Sequence, residues 1–207
     1  IPYNVMGGMQ DNGSWHGPAY TWTNGGIRNY YWNNVGGGDG FDVMPDPDGN
    51  GWVYSMSQGG AVGRLNYKTG ERWNIRPPSF ELDEKKQLRF NWNAAIAQDP
   101  FDKNTIYYGS QYVHKSNNKG AAWETISPDL TTNDSAKIDQ STTGGLTLDI
   151  TGAENHCTIL VIEPSAKQQG VLWTGTDDGN VQLTTDAGKT WTNFRGKIPG
   201  MPIGSWI

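Results

Sequence analysis

Four segments of this 207-residue chain align with one another: YNVMGGMQDNGSW, WVYSMSQGGAVGRL, TIYYGSQYVHKS and VLWTGTDDGNVQLT. Each is an apolar-aromatic run, then a polar turn with Gly or Ser, then a second apolar run. That pattern reads as strand, turn, strand. The anchors Gln10, Gln58, Gln111 and Asp177 stand 48, 53 and 66 residues apart. The flanks repeat too. FDVMPDPDGNG, AAIAQDPFDKN and TILVIEPSAKQ precede the last three segments, and RWNIRP, AAWETISP and KTWTNFRGKIP follow them. A chain built this way must stack like units, because no single unit can bury its own apolar faces.

A period of roughly 40–50 residues is that of a four-stranded propeller blade. The expected order within a unit is inner, second, third and outer strand. The fold class read from this is all-β: about three and a half four-stranded blades of a larger propeller. The whole chain, 1–207, is read as a partial propeller. Blades are expected over 1–36 (without an inner strand), 37–78, 89–129 and 156–200, with an insertion at 130–155. Only 79–89 suggests a helical turn. The 28 Gly and 10 Trp agree with a turn-rich β protein, and each Trp is expected in the core between blades. The opening IPYNV and closing GSWI read as strands cut mid-course, so a fragment of a longer protein is expected, with remaining blades as partners.

A net charge of −5 and the lack of a basic stripe argue against nucleic acid. No apolar run reaches the roughly 20 residues of a membrane span. One cysteine, Cys157, excludes an internal disulfide framework and reads as a small buried strand residue.

TTDAGKTW (184–191) has the Asp-box pattern, and SNNKGAAW (116–123) repeats it with Asn118 at the acid position. In such a hairpin the Asp or Asn accepts backbone N–H groups, Gly takes a positive φ, and Trp packs back over the turn. Asn118, Gly120, Trp123, Asp186, Gly188 and Trp191 are therefore read as structural. DPDGNG (46–51) opens like a calcium loop through Asp46, Asp48 and Asn50, but position twelve is Ser57 where the motif needs Glu. No metal or other cofactor is expected.

The turns after the four second strands should gather on one face. They bring candidate ligand-binding groups together: Gln10, Asp11, Asn12, Gln58, Gln111, Tyr112, Asp177 and Asp178, with His156 nearby. Amides, acids and aromatics suit carbohydrate or peptide recognition; solvated turn residues are the plainer alternative. Asp39, Asp42, Glu154 and Asp177 are candidate catalytic carboxyls, since glycoside hydrolysis takes a pair of acids at a set separation.

GGMQDNGSW, GGGDGFDV, GERWNIRPP, the two Asp-box hairpins, SPDLTTND, GAENHCTI and GTDDGNVQLT together resemble the secreted BNR/Asp-box propellers labelled glycosyl hydrolase-like. These are related to the sortilin luminal domain and to double-propeller xyloglucan-cleaving glucanases. The resemblance spans almost the whole chain. It implies an exported bacterial protein, whether secreted, periplasmic or at the cell surface. It implies a glycan- or protein-binding scaffold module, a glucanase- or sialidase-like glycoside hydrolase, or a sortilin-like peptide receptor. A sialidase-like site would draw on Arg28, Arg64 and Arg76 with Tyr30, Tyr31 and Glu154.

Overall fold

The computed structural model describes residues 3–79, 87–138 and 153–207. They form four consecutive antiparallel meanders. Sheet one holds β1 (Asn4–Met9), β2 (Gly13–Pro18) and β3 (Asn33–Gly36). Sheet two holds β4 (Gly40–Pro45), β5 (Trp52–Ser57), β6 (Ala61–Asn66) and β7 (Arg72–Asn74). Sheet three holds β8 (Ile96–Gln98), β9 (Ile106–Gly109), β10 (Val113–Ser116) and β11 (Glu124–Thr125). Sheet four holds β12 (Ile159–Pro164), β13 (Leu172–Thr176), β14 (Val181–Thr184) and β15 (Thr192–Asn193). The structure is thus nearly all β. The described part of 130–155 contains one short helix, α1 (Ser135–Ile138). Most of the helical turn suggested at 79–89, and residues 139–152 of the insertion, lie outside the described residues.

The turn from inner to second strand has one construction in three sheets. Asp46 Oδ1 accepts the N–H of Asp48, Asp99 Oδ1 accepts those of Phe101 and Asp102, and Ser165 Oγ accepts those of Lys167 and Gln168. This is why an acid or Ser stands beside the end of each inner strand: the short side chain closes its own turn. Across the sheet, Asp46 N–H donates to Trp52 O, Asp99 N–H to Thr105 O and Ser165 N–H to Val171 O.

Three apolar clusters lie between successive sheets. Val35, Val53 and Leu65 join sheets one and two. Tyr54, Met56, Phe90, Ile106 and Tyr108 join sheets two and three. Tyr107, Val113, Ile159, Ile162 and Leu172 join sheets three and four. One contact sets the spacing. A Cβ on Gly8 would stand 2.3 Å from Phe41 N, one on Gly109 3.0 Å from Ile159 Cγ2, and one on Gly175 2.4 Å from Ile207 Cγ2. The equivalent of these glycines in sheet two is Met56, and Ala94, just before β8, lies in the same cluster. At Gly8, Gly109 and Gly175 the next segment of chain occupies the space a side chain would fill, as a close-packed interior requires.

An ion network ties sheet two to sheet three. Asp46, its side chain fully buried, pairs with Arg64 at 2.8 Å and Lys119 at 3.0 Å, and Asp48 pairs with Lys103 at 2.6 Å and with Lys119. Burial works against the Asp46 carboxylate, but the Asp48 N–H, Lys119 and Arg64 outweigh it and leave its pKa lowered. Both acids of the calcium-loop-like segment are therefore committed to cations of the chain itself. Among the described residues no group of three or more His, Cys, Asp or Glu is arranged to hold a metal ion.

Two expectations differ from the structure. Cys157 is fully buried but precedes β12 in a bend with φ +61°, so it is a turn residue and not part of the strand. Nor is every Trp in the core: Trp22, Trp73, Trp173 and Trp206 are all exposed, Trp22 by 85%. Trp22 lies in the loop between β2 and β3 and Trp206 after β15, where no neighbouring sheet among the described residues covers them.

Candidate functional site: the rim

In the last three sheets the anchor residue after the second strand grips the segment leading into the inner strand of its own sheet. Gln58 Oε1 accepts the Asp39 N–H at 2.9 Å. Gln111 Oε1 accepts the Arg89 N–H at 2.8 Å, and its Nε2 donates to Gln87 O at 2.9 Å. Asp177 Oδ1 accepts the Thr158 N–H at 2.9 Å, and Oδ2 accepts Thr158 Oγ1 and Asn91 Nδ2. Gln111 and Asp177 are buried by this arrangement. Gln10, whose sheet has no inner strand among the described residues, is exposed and accepts Asn12 Nδ2 only through its carbonyl.

Asp177 and Asp178 diverge although they are neighbours. Burial pushes the Asp177 carboxyl pKa up, against the pull of Thr158, His156 and Asn91. Burial also acts on Asp178, but the hydroxyls of Thr176 and Thr132 and the Thr132 N–H outweigh it, and its pKa is lowered. His156 is buried, with Nδ1 4.0 Å from Asp177 Oδ2 and neither ring nitrogen hydrogen-bonded. Glu154 is half-buried in the same approach to β12.

On the first two sheets the rim is open. Asp39 Oδ1 accepts the Asp11 N–H at 2.7 Å, which joins the turn of sheet one to the start of sheet two. Asn12 is exposed and its carbonyl accepts Trp15 Nε1 at 2.7 Å. Asp42 is exposed as a residue on β4, while desolvation of its carboxyl by the surrounding chain pushes the pKa up. The Arg, Tyr and Glu residues of a sialidase-like cluster are dispersed: Arg64 pairs with Asp46, Arg76 lies over the Phe90 ring, and Tyr31 bonds Thr23 in a different loop.

A cleft of about 470 Å³ opens on the rim of sheet three, lined by Gln87, Arg89, Gln111, Tyr112, Asp129 and Asn133 with Pro128. Its volume is in the range of small-ligand sites. Arg89 is fixed from three sides: Nε donates to Cys157 O, and Nη2 donates to Asp129 Oδ2 at 2.8 Å and to Thr131 Oγ1. Asp129 is fixed in turn by the Thr131 N–H and hydroxyl. The pair leaves the cleft near electrical neutrality while Nη1 keeps its donors. Gln111 and Tyr112 were foreseen from the repeat. Arg89 and Asp129 were not: their pairing spans 40 residues, and only the D-x-T spacing of Asp129 and Thr131 hints at an ordered turn.

No known family profile matches the chain, and no curated protein matches it by sequence. Solved structures do. The GH74 xyloglucanase of Xanthomonas campestris superposes with a TM-score of 0.57 at 17% identity, over 99% of this chain and 30% of that one. Sqt1 of Chaetomium thermophilum superposes with a TM-score of 0.54 at 12% identity, over 94% of this chain and 44% of that one. The fold is that of a β-propeller. The four sheets are its blades, and the chain spans less than half the length of these structural neighbours. A third structure, YCF48 bound to D1 peptide, is similar at a TM-score of 0.44 and 14% identity over 75% of this chain and 40% of that one. Among the described residues no helix is long and apolar enough to cross a membrane.

Proposed function

We propose that the chain is a binding module of an exported Asp-box propeller protein, and that it recognises a neutral glycan at the rim cleft of the third blade. The observation carrying this reading is the convergence of Arg89, Asp129, Tyr112, Gln87 and Asn133 on one cleft of about 470 Å³. A salt-bridged Arg–Asp pair offers donors without a net field to attract ions. Amide groups add donors and acceptors, and a tyrosine ring supplies an apolar face. That set matches a sugar better than an anion. Calorimetric titration with neutral oligosaccharides tests it. Tyr112→Ala should weaken binding by about tenfold, the loss of one aromatic contact. Equal affinity for wild type and variant would remove the cleft from consideration, and preferential binding of peptides would favour a sortilin-like receptor.

A glycoside hydrolase is the second reading. It is favoured by two carboxyls, Asp39 just before β4 and Asp42 within it, with burial pushing the Asp42 pKa up, the direction a general acid requires. Loss of glycan cleavage in Asp42→Asn, with folding intact, would establish it.

A further inference from the structure

Asn is followed by Gly three times in the chain, at Asn12, Asn24 and Asn50. Such a pair carries its own chemistry. The glycine backbone nitrogen can attack the side-chain amide carbon of the asparagine, because no Cβ on the glycine stands in the way. The fold treats the three pairs differently. Gly13 is buried, a Cβ on it would stand 2.4 Å from Gly36 O, and Asn12 Nδ2 donates to Gln10 O at 3.0 Å. Gly51 is buried against the Lys68 side chain, its carbonyl accepts the Tyr67 N–H at 2.9 Å, and Asn50 Oδ1 accepts the Trp52 N–H at 3.3 Å. In both pairs the asparagine side chain is held and the glycine is packed.

Asn24 and Gly25 stand apart. They sit in the loop between β2 and β3, where every residue from Trp22 to Tyr30 is exposed. Among the described residues Asn24 makes no side-chain hydrogen bond and the Gly25 N–H no backbone one. Gly25 has φ +98°, and a Cβ on Gly26 would meet nothing within 4 Å. One bond, from the Gly26 N–H to Thr23 O at 3.1 Å, spans the turn. Little therefore opposes the rotation that brings Gly25 N to Asn24 Cγ. A second observation singles out the same pair. The Arg28 guanidinium folds back onto Gly25, where a Cβ would stand 2.4 Å from Nη2. That guanidinium makes no hydrogen bond or ion pair among the described residues, and residues 19–32 contain no Asp or Glu. Negative charge develops on nitrogen and then on oxygen during the attack, and a neighbouring cation lowers its cost.

We infer that Asn24–Gly25 is a self-modification site, at which the folded chain deamidates ahead of its other Asn–Gly pairs with Arg28 assisting. Solvent base takes the Gly25 N–H proton. The nitrogen forms a bond to Asn24 Cγ, and the bond from Cγ to Nδ2 breaks, releasing ammonia as Nδ2 takes a proton from water. Water then opens the cyclic imide. Attack at Cγ breaks the new bond to Gly25 and leaves aspartate at position 24. Attack at the backbone carbonyl carbon breaks the original peptide bond and leaves isoaspartate. Either product sets a carboxylate beside Arg28 and neutralises it, and isoaspartate also adds a methylene to the main chain of the turn. The site shares no residue with the rim cleft, so it stands or falls independently of glycan binding.

Peptide mapping of the purified chain, held at neutral pH and sampled over weeks, tests it. Residues 1–27 contain no Lys or Arg, so trypsin releases Asn12 and Asn24 in one peptide and fragmentation assigns the site. Exchange of ammonia for water should appear first at Asn24 and faster as pH rises, with isoaspartate resolved by electron-transfer fragmentation. Arg28→Gln should slow it about threefold, the effect of one exposed charge. In guanidinium chloride the three pairs should convert at similar rates, because the fold sets their order. Conversion of Asn12 or Asn50 as fast as Asn24 in the folded chain overturns the inference. So does a preference for Asn24 that persists in denaturant, or an unmodified Asn24 in the folded chain after the denatured chain has converted. An unchanged rate in Arg28→Gln overturns the part given to the guanidinium.

Discussion

The connection between third and outer strand is made in two ways with opposite results. In the fourth blade it is the hairpin 184–191. Thr184 Oγ1 accepts the N–H groups of Asp186 and Gly188, and Asp186 accepts the Thr184 hydroxyl and the N–H and hydroxyl of Thr190. Ala187 and Gly188 take φ of +60° and +95°. Trp191 Nε1 then reaches Gly188 O at 3.1 Å and Ile126 O of the preceding blade at 3.4 Å. The third blade copies it: Asn118 accepts Ser116 Oγ and the Ala122 N–H, and Trp123 Nε1 donates to Ile75 O at 2.7 Å. In the first blade the same connection is longer and its Trp22 meets solvent. A tight polar turn aims its Trp inward as a clamp, and a long loop lets its aromatics face outward.

Removing the clamp should give the largest effect. Trp191→Ala is expected to cost about 3 kcal/mol in chemical denaturation, as a large aromatic lost between packed elements; a value near zero would mean the ring is ornamental. Gly188→Ala should cost about 1 kcal/mol or more, because φ is +95° and a Cβ would stand 2.6 Å from Ile126 O. Thermal melting checks it, and Gly26→Ala in the open loop, where nothing lies within 4 Å, should be milder. Asp186→Asn sharpens the comparison by pH. The Thr190 hydroxyl and N–H, with the Thr184 hydroxyl, hold the Asp186 pKa at about 2, down from 3.8. A carboxyl whose pKa is depressed by folding stabilises above its unfolded value, and that contribution fades as pH falls from 3.8 toward 2. The variant should be less stable than wild type at neutral pH, and the gap should close in acid. The smallest effect belongs to Trp22→Ala, within about 0.5 kcal/mol by the same melts.

The four-sheet plan was legible because it rests on local signals: apolar runs, Gly turns, and the hairpin pattern around Asn118 and Asp186. What was hidden depends on distance in the chain. Lys119 reaches Asp46 across 73 residues, and nothing near either residue announces the other. Gln111 and Tyr112 could be placed on the rim from the repeat, but the cleft needed Arg89 and Asp129, which come from two different connections. The bareness of Trp22 was obscured by composition, because ten Trp suit a core. The hint was local: YTWTNGGIRNYYW lacks both strand alternation and the Asp-box spacing.

The close contact of Gly8, Gly109 and Gly175 with the segment of chain that packs on each has a consequence for assembly order. Repeats this alike invite a strand to dock on the wrong neighbour while the chain folds. Met56 is the exception in that series: a side chain stands there, whereas at Gly8 the backbone of Gly40 and Phe41 fills the space a side chain would need, so that segment could not dock in the same way on Met56. The junctions act as differently cut keys, so the blades share one architecture without being interchangeable.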